Sequence, residues 1–540
     1  MKPLYVIGHK NPDCDAIVSA IACAQLKYLQ NIPAEACACG NANSETQYLL
    51  KRFGFEHPRI IHSARCTLSE IAKDEALTAG REMTMKAALD YVMSKKNKGI
   101  FVVDEDGKLE GIVSVSDLTR LFTESPEYTS DLLKLAPLGN IVDVLEARSY
   151  YENPDFHTNG VVHIMPSLSD APSDYTDSIV IVRNNPDIQR FAIECRAALL
   201  VISGENWVDK VTMEKARENG VSVIRTAKRV TEVARQICLA PSIRTIMTKG
   251  VTTFQEDETV EEVSAKIAMT RFRTYPVLDK EGRPVAAISR YHLFHYEKKQ
   301  FVLVDHNEET QSVNDIESAV VTEIIDHHRL GGIETVNPIS ITARPVGSTS
   351  TIIAGLYRQN RIEISPRLAG LLLGGVVNDT LCLLSPTTTD EDRETASYLS
   401  MLAGITPEKL NEEMIAASDS IVNKTDLELL YDDFKEFRIG ESRIAIAQNP
   451  CKSEEDFLAV KDRFANYVAE AVRTQHYDLI LTLFTDPAGS GSYFIYSGKK
   501  SHVIPEGFSG LLEENGFARQ IISRKKQVLP IIIDTMNHQL

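Results

Sequence analysis

The stretch GHKNPDCDAI (residues 8–17) arranges His9, Asp13 and Asp15 around an Asn-Pro turn, between the apolar run Leu4–Ile7 and a helix-like segment. Later, Asp305 closes the run 301–304, Asp326-His327-His328 close the run 320–325, and Asp379 follows the apolar segment 371–377. Carboxylates and imidazoles together suit borderline divalent cations such as Mn2+, whereas a Zn2+ site is expected to include Cys. An acid shared between two such ions holds them roughly 3.5–4 Å apart, acidifies a water bridging them, and lets both neutralise a phosphoryl group under in-line attack. Singly, Asp13 reads as a helix N-cap, Asp326 as a strand-end turn former, and His327-His328 as one core and one surface histidine. As a set they point to two-metal hydrolysis at phosphorus.

For these groups to meet, the chain must place them at one edge. We read 4–7, 301–304, 320–325 and 371–377 as strands of an open α/β sheet, whose carboxyl ends face a common ligand crevice. Near the C-terminus, SRKKQVLP (523–530) gathers Arg524, Lys525 and Lys526 ahead of an apolar segment read as a strand. Such basic runs are ordinarily solvated edges or gatekeepers.

The bulk numbers bound the rest. At 540 residues the chain needs three to five domains. Net charge is −17, from 58 Lys+Arg against 75 Asp+Glu, which disfavours a nucleic-acid partner. The longest apolar run, 368–377, is too short to cross a bilayer, and the N-terminus has no signal-peptide character. A soluble, cytoplasmic protein without membrane partners is expected. The nine Cys are scattered; Cys37 and Cys39 read as small buried hydrophobes in a reduced compartment.

A repeat organises the middle of the chain. VVDEDGKLEGIVS (102–114) matches VLDKEGRPVAAIS (277–289) at a constant offset, each reading as strand, turn and strand after a helix-like segment. The same offset sets Lys98 opposite Arg273. These units resemble CBS motifs, at 67–124 and 241–298, which pair into one adenine-nucleotide-binding module. The first carries the ribose signature as GIVSVSD, with Ser114 and Asp117; the second keeps Ser289 but has His292 in place of the Asp. The resemblance implies regulation by AMP, ADP, ATP or a diadenosine polyphosphate. Lys98 and Arg273 would meet the phosphates, with Asn97, Tyr275, Ser114, Asp117 and Ser289 around the adenosine. CBS modules commonly pair across subunits, so a homodimer through this module is expected; a ligand-free spacer is the alternative. Between the copies, helix-like segments (139–148 and 209–219) alternate with strand-like ones (VVHIM, SIVIV, ALLVIS, VSVIRT). By its position this α/β unit resembles a DRTGG domain, although HTNGVV lacks the naming motif.

The carboxylate and histidine pattern resembles the DHH phosphoesterase superfamily, with D-H-H at Asp326-His327-His328 and H-x-x-x-D-x-D at His9, Asp13 and Asp15. Nucleases, oligoribonucleases and exopolyphosphatases share those elements. SRKKQ, together with LVDHNE, IDHHR, PVGSTST and SPTTTDED, is similar to the family II inorganic pyrophosphatases over nearly all of 1–66 and 299–540. The resemblance implies hydrolysis of pyrophosphate to two phosphates by a metal-bridging hydroxide. His9 and Asp13 would bind one Mn2+ (or Co2+), Asp15, His327 and Asp379 the second, and Asp305 both; Mg2+ would enter with the substrate. His328 would contact the substrate and protonate the leaving phosphate, while Arg524, Lys525 and Lys435 (in DDFKEF) hold phosphate. Cys14 stands where the family has Ser or Thr.

The expected fold class is a multidomain α/β chain. A discontinuous DHH-type parallel-sheet domain (1–66 and 299–417) carries an inserted tandem CBS module (67–124 and 241–298) with a DRTGG-like α/β domain (125–240) between its halves. An α/β DHHA2 substrate-binding domain (418–540) follows, with a hinge expected at 419–425. A DHH-type exopolyphosphatase or oligonucleotide phosphodiesterase, or a non-catalytic nucleotide-sensing protein, are the alternatives.

Overall fold

Tyr5, Val6 and Ile7 are buried, and Leu4–Ile7 forms β1, an inner strand of a parallel sheet. The computed structural model describes residues 3–95, 97–168, 174–204, 208–418, 420–431, 433–486 and 491–537. It divides into two units, 1–65 with 298–540, and 66–297. Among the described residues no helix is long and apolar enough to cross a membrane.

In the first unit β1 lies between β2 (Ala34–Ala38) and β4 (Gln300–Val304). With β3 (Arg59–Ile60), β5 (Val320–Asp326) and β6 (Ser340–Ala343) they form a six-stranded sheet ordered β6-β5-β4-β1-β2-β3, every pairing parallel. The chain leaves after β3 and re-enters beside β1 at β4, so the strand order reverses there. That reversal opens a crevice at the carboxyl ends of the strands. Helix α1 (Cys14–Leu29) starts where Asp13 accepts the Ala16 amide at 2.9 Å. It packs with α2 (Thr349–Gln359) and α3 (Pro366–Asp379) on one face of the sheet.

The segment 371–377, expected as a strand, lies inside α3. Ser365 caps the helix, Pro366 opens it, and the residues from Leu368 to Val377 are all buried. Burial on every side erases the 3.6-residue period that would separate helix from strand in the sequence. Asp379 therefore ends a helix. Gly375 lets α3 approach: an added Cβ would strike Ser350 Oγ and lie 2.9 Å from Asp15 Oδ1.

The C-terminal part of this unit is a second sheet. Its strands β7 (Phe434–Ile439), β8 (Ser442–Pro450), β9 (Leu479–Thr485), β10 (Gly491–Ser497) and β11 (Phe517–Arg519) pair in chain order. Helix Glu454–Gln475 covers one face through Phe457 and Phe464. The apolar segment after SRKKQ, expected as a strand, is the helix Leu529–Asn537, which covers the other face through Ile532 and Met536. Its run of Ile is again too short for periodicity to decide. Part of the expected hinge, Asp419, lies outside the described residues.

In the second unit each repeat copy forms the expected helix and hairpin: Met85–Lys95 with Gly99–Val103 and Leu109–Ser114, and Val260–Ala268 with Tyr275–Leu278 and Pro284–Ile288. The copies exchange their leading segments. Asp74–Glu75 pairs with the second copy's hairpin, and Leu68 and Ile71 join its core. Thr248 bridges Ile112 of the first copy, and Leu239 and Ile243 join that core. The intervening α/β unit has five strands, four of them parallel, with helices on both faces. Arg148, expected at a helix end, instead begins the antiparallel edge strand Arg148–Tyr151, because helix Leu138–Val144 stops earlier.

Candidate active site

The crevice at β1 and β4 collects the predicted groups. His9 follows β1 and donates from Nδ1 to the Lys10 carbonyl at 2.7 Å, which turns Nε2 inward. That Nε2 lies 3.3 Å from Asp13 Oδ2 and 3.4 Å from Asp305 Oδ2, buried and without a hydrogen-bond partner. His327 repeats the arrangement on the other side. Its Nδ1 donates to the Val346 carbonyl at 3.0 Å, and its orphaned Nε2 lies 3.4 Å from Asp305 Oδ1 and 3.3 Å from Asp379 Oδ2. One Asp305 oxygen thus faces each imidazole. Three overlapping donor groups result among the described residues: His9 with Asp13 and Asp305, Asp15 with His327 and Asp379, and Asp305 with His327 and His328, each within 4.8 Å. Asp305 holds this place with a left-handed backbone (φ 62°), a strained conformation for a residue with a Cβ.

The donor chemistry, nitrogen lone pairs beside carboxylate oxygens with no thiolate, fits a pair of borderline divalent cations. Cys14 between the two acids is fully buried, and burial and its flanking carboxylates push its thiol well above the ordinary range. It packs as an apolar residue.

Electrostatics shows how crowded the acids are. Burial, then Asp305, pushes the Asp15 carboxyl up to about 7. Burial and the neighbouring Asp15 raise Asp379 well above the carboxylate range. Burial opposes charge on His9, but Asp13 and Asp305 overcome it and lift the imidazole to about 10. Burial brings His327 down to about 3 and His328 down to about 4.

Several contributors lie in motifs that the sequence analysis quoted only for their family resemblance, without giving these residues a role. The GSTST segment entering α2 supplies Asp15 with four donors: Ser348 Oγ at 2.8 Å, the Thr349 amide at 2.6 Å, the Ser350 amide at 3.1 Å and Ser350 Oγ at 2.5 Å. Thr349 Oγ1 donates to Asp305 at 3.0 Å. A helix N-terminus rich in Ser and Thr is the signal that could have pointed there. Asp326 accepts from the His327 amide (2.8 Å), the His328 amide (3.1 Å) and His328 Nδ1 (2.8 Å), fixing the tautomer of His328. Asn307 bonds the other Asp326 oxygen. His306 is a third buried imidazole with an orphaned Nε2 in the same cavity.

The second sheet closes the cavity, about 480 Å³, whose lining includes Asp13, His327, His328, Lys435, Arg524 and Lys525. Ser523 caps a tight turn by accepting the Lys526 amide at 3.3 Å, and Gln527 Oε1 accepts the amides of Ile522 and Ser523, each at 2.9 Å. Ser and Gln of SRKKQ thus build the turn that displays its cations. Arg524 is aimed by Asp433 Oδ1 (2.9 Å) and the Asp433 carbonyl (2.9 Å). Lys525 Nζ reaches the His327 carbonyl at 3.3 Å.

In the inserted unit, Asp117 accepts the Ser114 amide at 2.8 Å and its hydroxyl at 2.6 Å. His292 substitutes, its Nδ1 accepting the Ser289 amide at 3.0 Å. Lys98 and Arg273 are exposed and Asn97 half-buried. A Cβ at Gly99 would lie 3.6 Å from Thr274, so the residues that follow the two cations, at the starts of their strands, lie side by side. Tyr275 corrects the expectation of an adenosine contact. It is fully buried against Phe254 and Phe272, its hydroxyl paired with Thr270 at 2.5 Å, because this strand position faces its own core.

An α/β sheet with a switch-point crevice of paired Asp and His, closed by a cation-bearing domain, defines a phosphoryl-handling class of fold. The model of the DHH family N-terminal domain matches residues 3–376, and that of the DHHA2 domain residues 412–535. A cobalt-dependent inorganic pyrophosphatase of Clostridium perfringens is 34% identical over 98% of this chain and 97% of its own. The manganese-dependent inorganic pyrophosphatase of Bacillus subtilis is 36% identical over 44% of this chain and 76% of its own. A Methanococcus jannaschii structure carrying the family II inorganic pyrophosphatase name shares the fold (TM-score 0.50, 21% identity, 99% of both chains). The chain belongs to the DHH–DHHA2 family of inorganic pyrophosphatases.

Proposed function

We propose that the chain hydrolyses inorganic pyrophosphate to two phosphates at this crevice and that adenine nucleotides bound by its CBS module regulate the rate. One observation carries the catalytic reading: the orphaned Nε2 atoms of His9 and His327 face opposite oxygens of one buried carboxylate, Asp305. His9, Asp13 and Asp305 would hold one Mn2+ or Co2+, and Asp15, His327, Asp379 and Asp305 the other. Bound there, such ions supply an acidified water and neutralise phosphoryl oxygens, with Mg2+ accompanying the substrate. Arg524, Lys525 and Lys435 hold the phosphate that leaves. His328, its Nδ1 proton held by Asp326, turns Nε2 to the substrate as an acceptor, and would protonate the leaving phosphate only after Nε2 itself takes up a proton, for which that phosphate's charge would have to raise the imidazole.

Lys98 and Arg273 would receive nucleotide phosphates, with Asn97, Ser114, Asp117 and Ser289 beside the nucleoside. Met269 and Phe294, 88% and 81% exposed on the second copy, support pairing of the module across a homodimer. Nine free cysteines support a cytoplasmic setting. Mn2+-loaded protein is expected to release phosphate from pyrophosphate and little from tripolyphosphate or oligonucleotides, at a rate that AMP, ADP, ATP or a diadenosine polyphosphate alters. Asp117→Ala is expected to remove the nucleotide response and leave the basal rate. Phosphate release mainly from the longer substrates would assign the site to a polyphosphatase or nuclease instead.

Metal affinity should depend on pH in one direction. His9 (about 10) and Asp15 (about 7) sit above their ordinary values, so both carry protons at pH 6 in the protein alone. Mn2+ must displace those protons, and affinity therefore rises from pH 5 to pH 8 with proton release. Calorimetry in buffers of different ionisation enthalpy measures this; an affinity flat over that range would mean that other residues bind the ion.

A further inference from the structure

Arg524 and Lys525 line the cavity, but Lys526 does not. Its ammonium crosses from the DHHA2 domain to the catalytic domain and donates to the Pro386 carbonyl at 2.8 Å. The segment presenting that carbonyl is unusual. Leu381, Cys382 and Leu383 have φ of 49°, 54° and 64°, three consecutive left-handed residues with side chains, a conformation that L-residues ordinarily adopt singly. The turn begins two residues after Asp379. It is held by the Cys382 amide on the Val377 carbonyl (2.8 Å), the Leu383 amide on Thr380 Oγ1 (3.0 Å) and the Ser385 amide on the Thr380 carbonyl (2.8 Å). On the far side Thr389 caps the next helix with Asp392, which is fully buried and accepts the Gly347 amide at 2.8 Å and Thr351 Oγ1 at 2.7 Å. Gly347 and Thr351 flank the residues that hold Asp15. The Pro386 carbonyl is thus fixed relative to both Asp379 and Asp15.

We propose that Lys526 is a positioning residue: by docking on the Pro386 carbonyl it sets how far Arg524 and Lys525 enter the cavity. This role rests on the pyrophosphatase reading. The strained turn gives the lysine a rigid stop, so the two substrate-facing cations arrive at a fixed depth over the acids.

The test compares full-length, Mn2+-loaded wild type, Lys526→Met and Lys526→Arg in steady-state pyrophosphate hydrolysis and in binding of the non-hydrolysable analogue imidodiphosphate. Losing one charge-assisted hydrogen bond is expected to raise KM and the analogue Kd about tenfold in Lys526→Met. Lys526→Arg should recover most of that, with Mn2+ content and Tm unchanged in both. Unchanged KM and Kd in Lys526→Met, or a loss that tracks lower Tm or Mn2+ content, would overturn the role. Wild type inert toward pyrophosphate would overturn the functional reading and this role with it; active wild type beside an indifferent Lys526→Met overturns this role alone.

Discussion

Asp305→Ala is expected to lower pyrophosphate hydrolysis by at least about 10³-fold and to reduce bound Mn2+ from two equivalents to one or none. The two oxygens of Asp305 face different imidazoles, at 3.4 Å each, so this one carboxylate joins the His9 side of the site to the His327 side. In the two-cation mechanism proposed above, several kcal/mol of charge stabilisation at the phosphoryl group would depend on both cations, and each 1.36 kcal/mol is a factor of ten in rate. The fold should survive. Asp305 contributes to the rise of the Asp15 and Asp379 carboxyls, so removing it relieves repulsion among buried acids, which offsets the loss of the Thr349 hydrogen bond and of the attraction to His9. Phosphate release, metal analysis and thermal melting together check this. Wild-type turnover with two Mn2+ retained would sink the bridging assignment.

Arg524→Ala is the second large effect. The guanidinium is 11% exposed and satisfies Asp433 Oδ1 and the carbonyls of Asp433 and Ile446. Truncation would remove the proposed phosphate contact and takes a donor from Asp433 Oδ1 and the Ile446 carbonyl, while the Asp433 carbonyl keeps the Gln448 amide at 3.1 Å. A fall in kcat/KM of about 10²–10³ is expected, as for loss of one preorganised donor, with a stability loss of about 1–3 kcal/mol for the stranded acceptors. Arg524→Lys should keep the charge but not the fork that spans three acceptors, and so recover only part of either. Steady-state kinetics and urea unfolding separate the two components. An Arg524→Lys variant with full activity and stability would show that charge alone matters there.

Much of the site was legible because ligand chemistry is local: His9, Asp13, Asp15, Asp305 and Asp326-His327-His328 stand at chain positions where strands end, and residue type alone limits what they can bind. The paired hairpins of the inserted unit were equally legible, since alternation and Asp-Gly or Glu-Gly turns act over a few residues. Asp379 was found for a partly wrong reason, because a helix buried on all sides and a buried strand carry the same apolar signature. Tertiary structure alone decided what depends on residues hundreds of positions apart. The GSTST segment meets Asp15 only when α2 packs on α1; the two repeat copies trade leading segments because each completes the other's core; Tyr275 turns inward because its strand face is set by that packing. Lys526 acquires a role only where a strained turn from another domain offers it a carbonyl. Sequence determined which chemistry the chain could support, since that is fixed by side-chain type and short spacing. Burial, orientation and the docking of one domain on another belong to the fold, because they are set by distances that no linear spacing encodes.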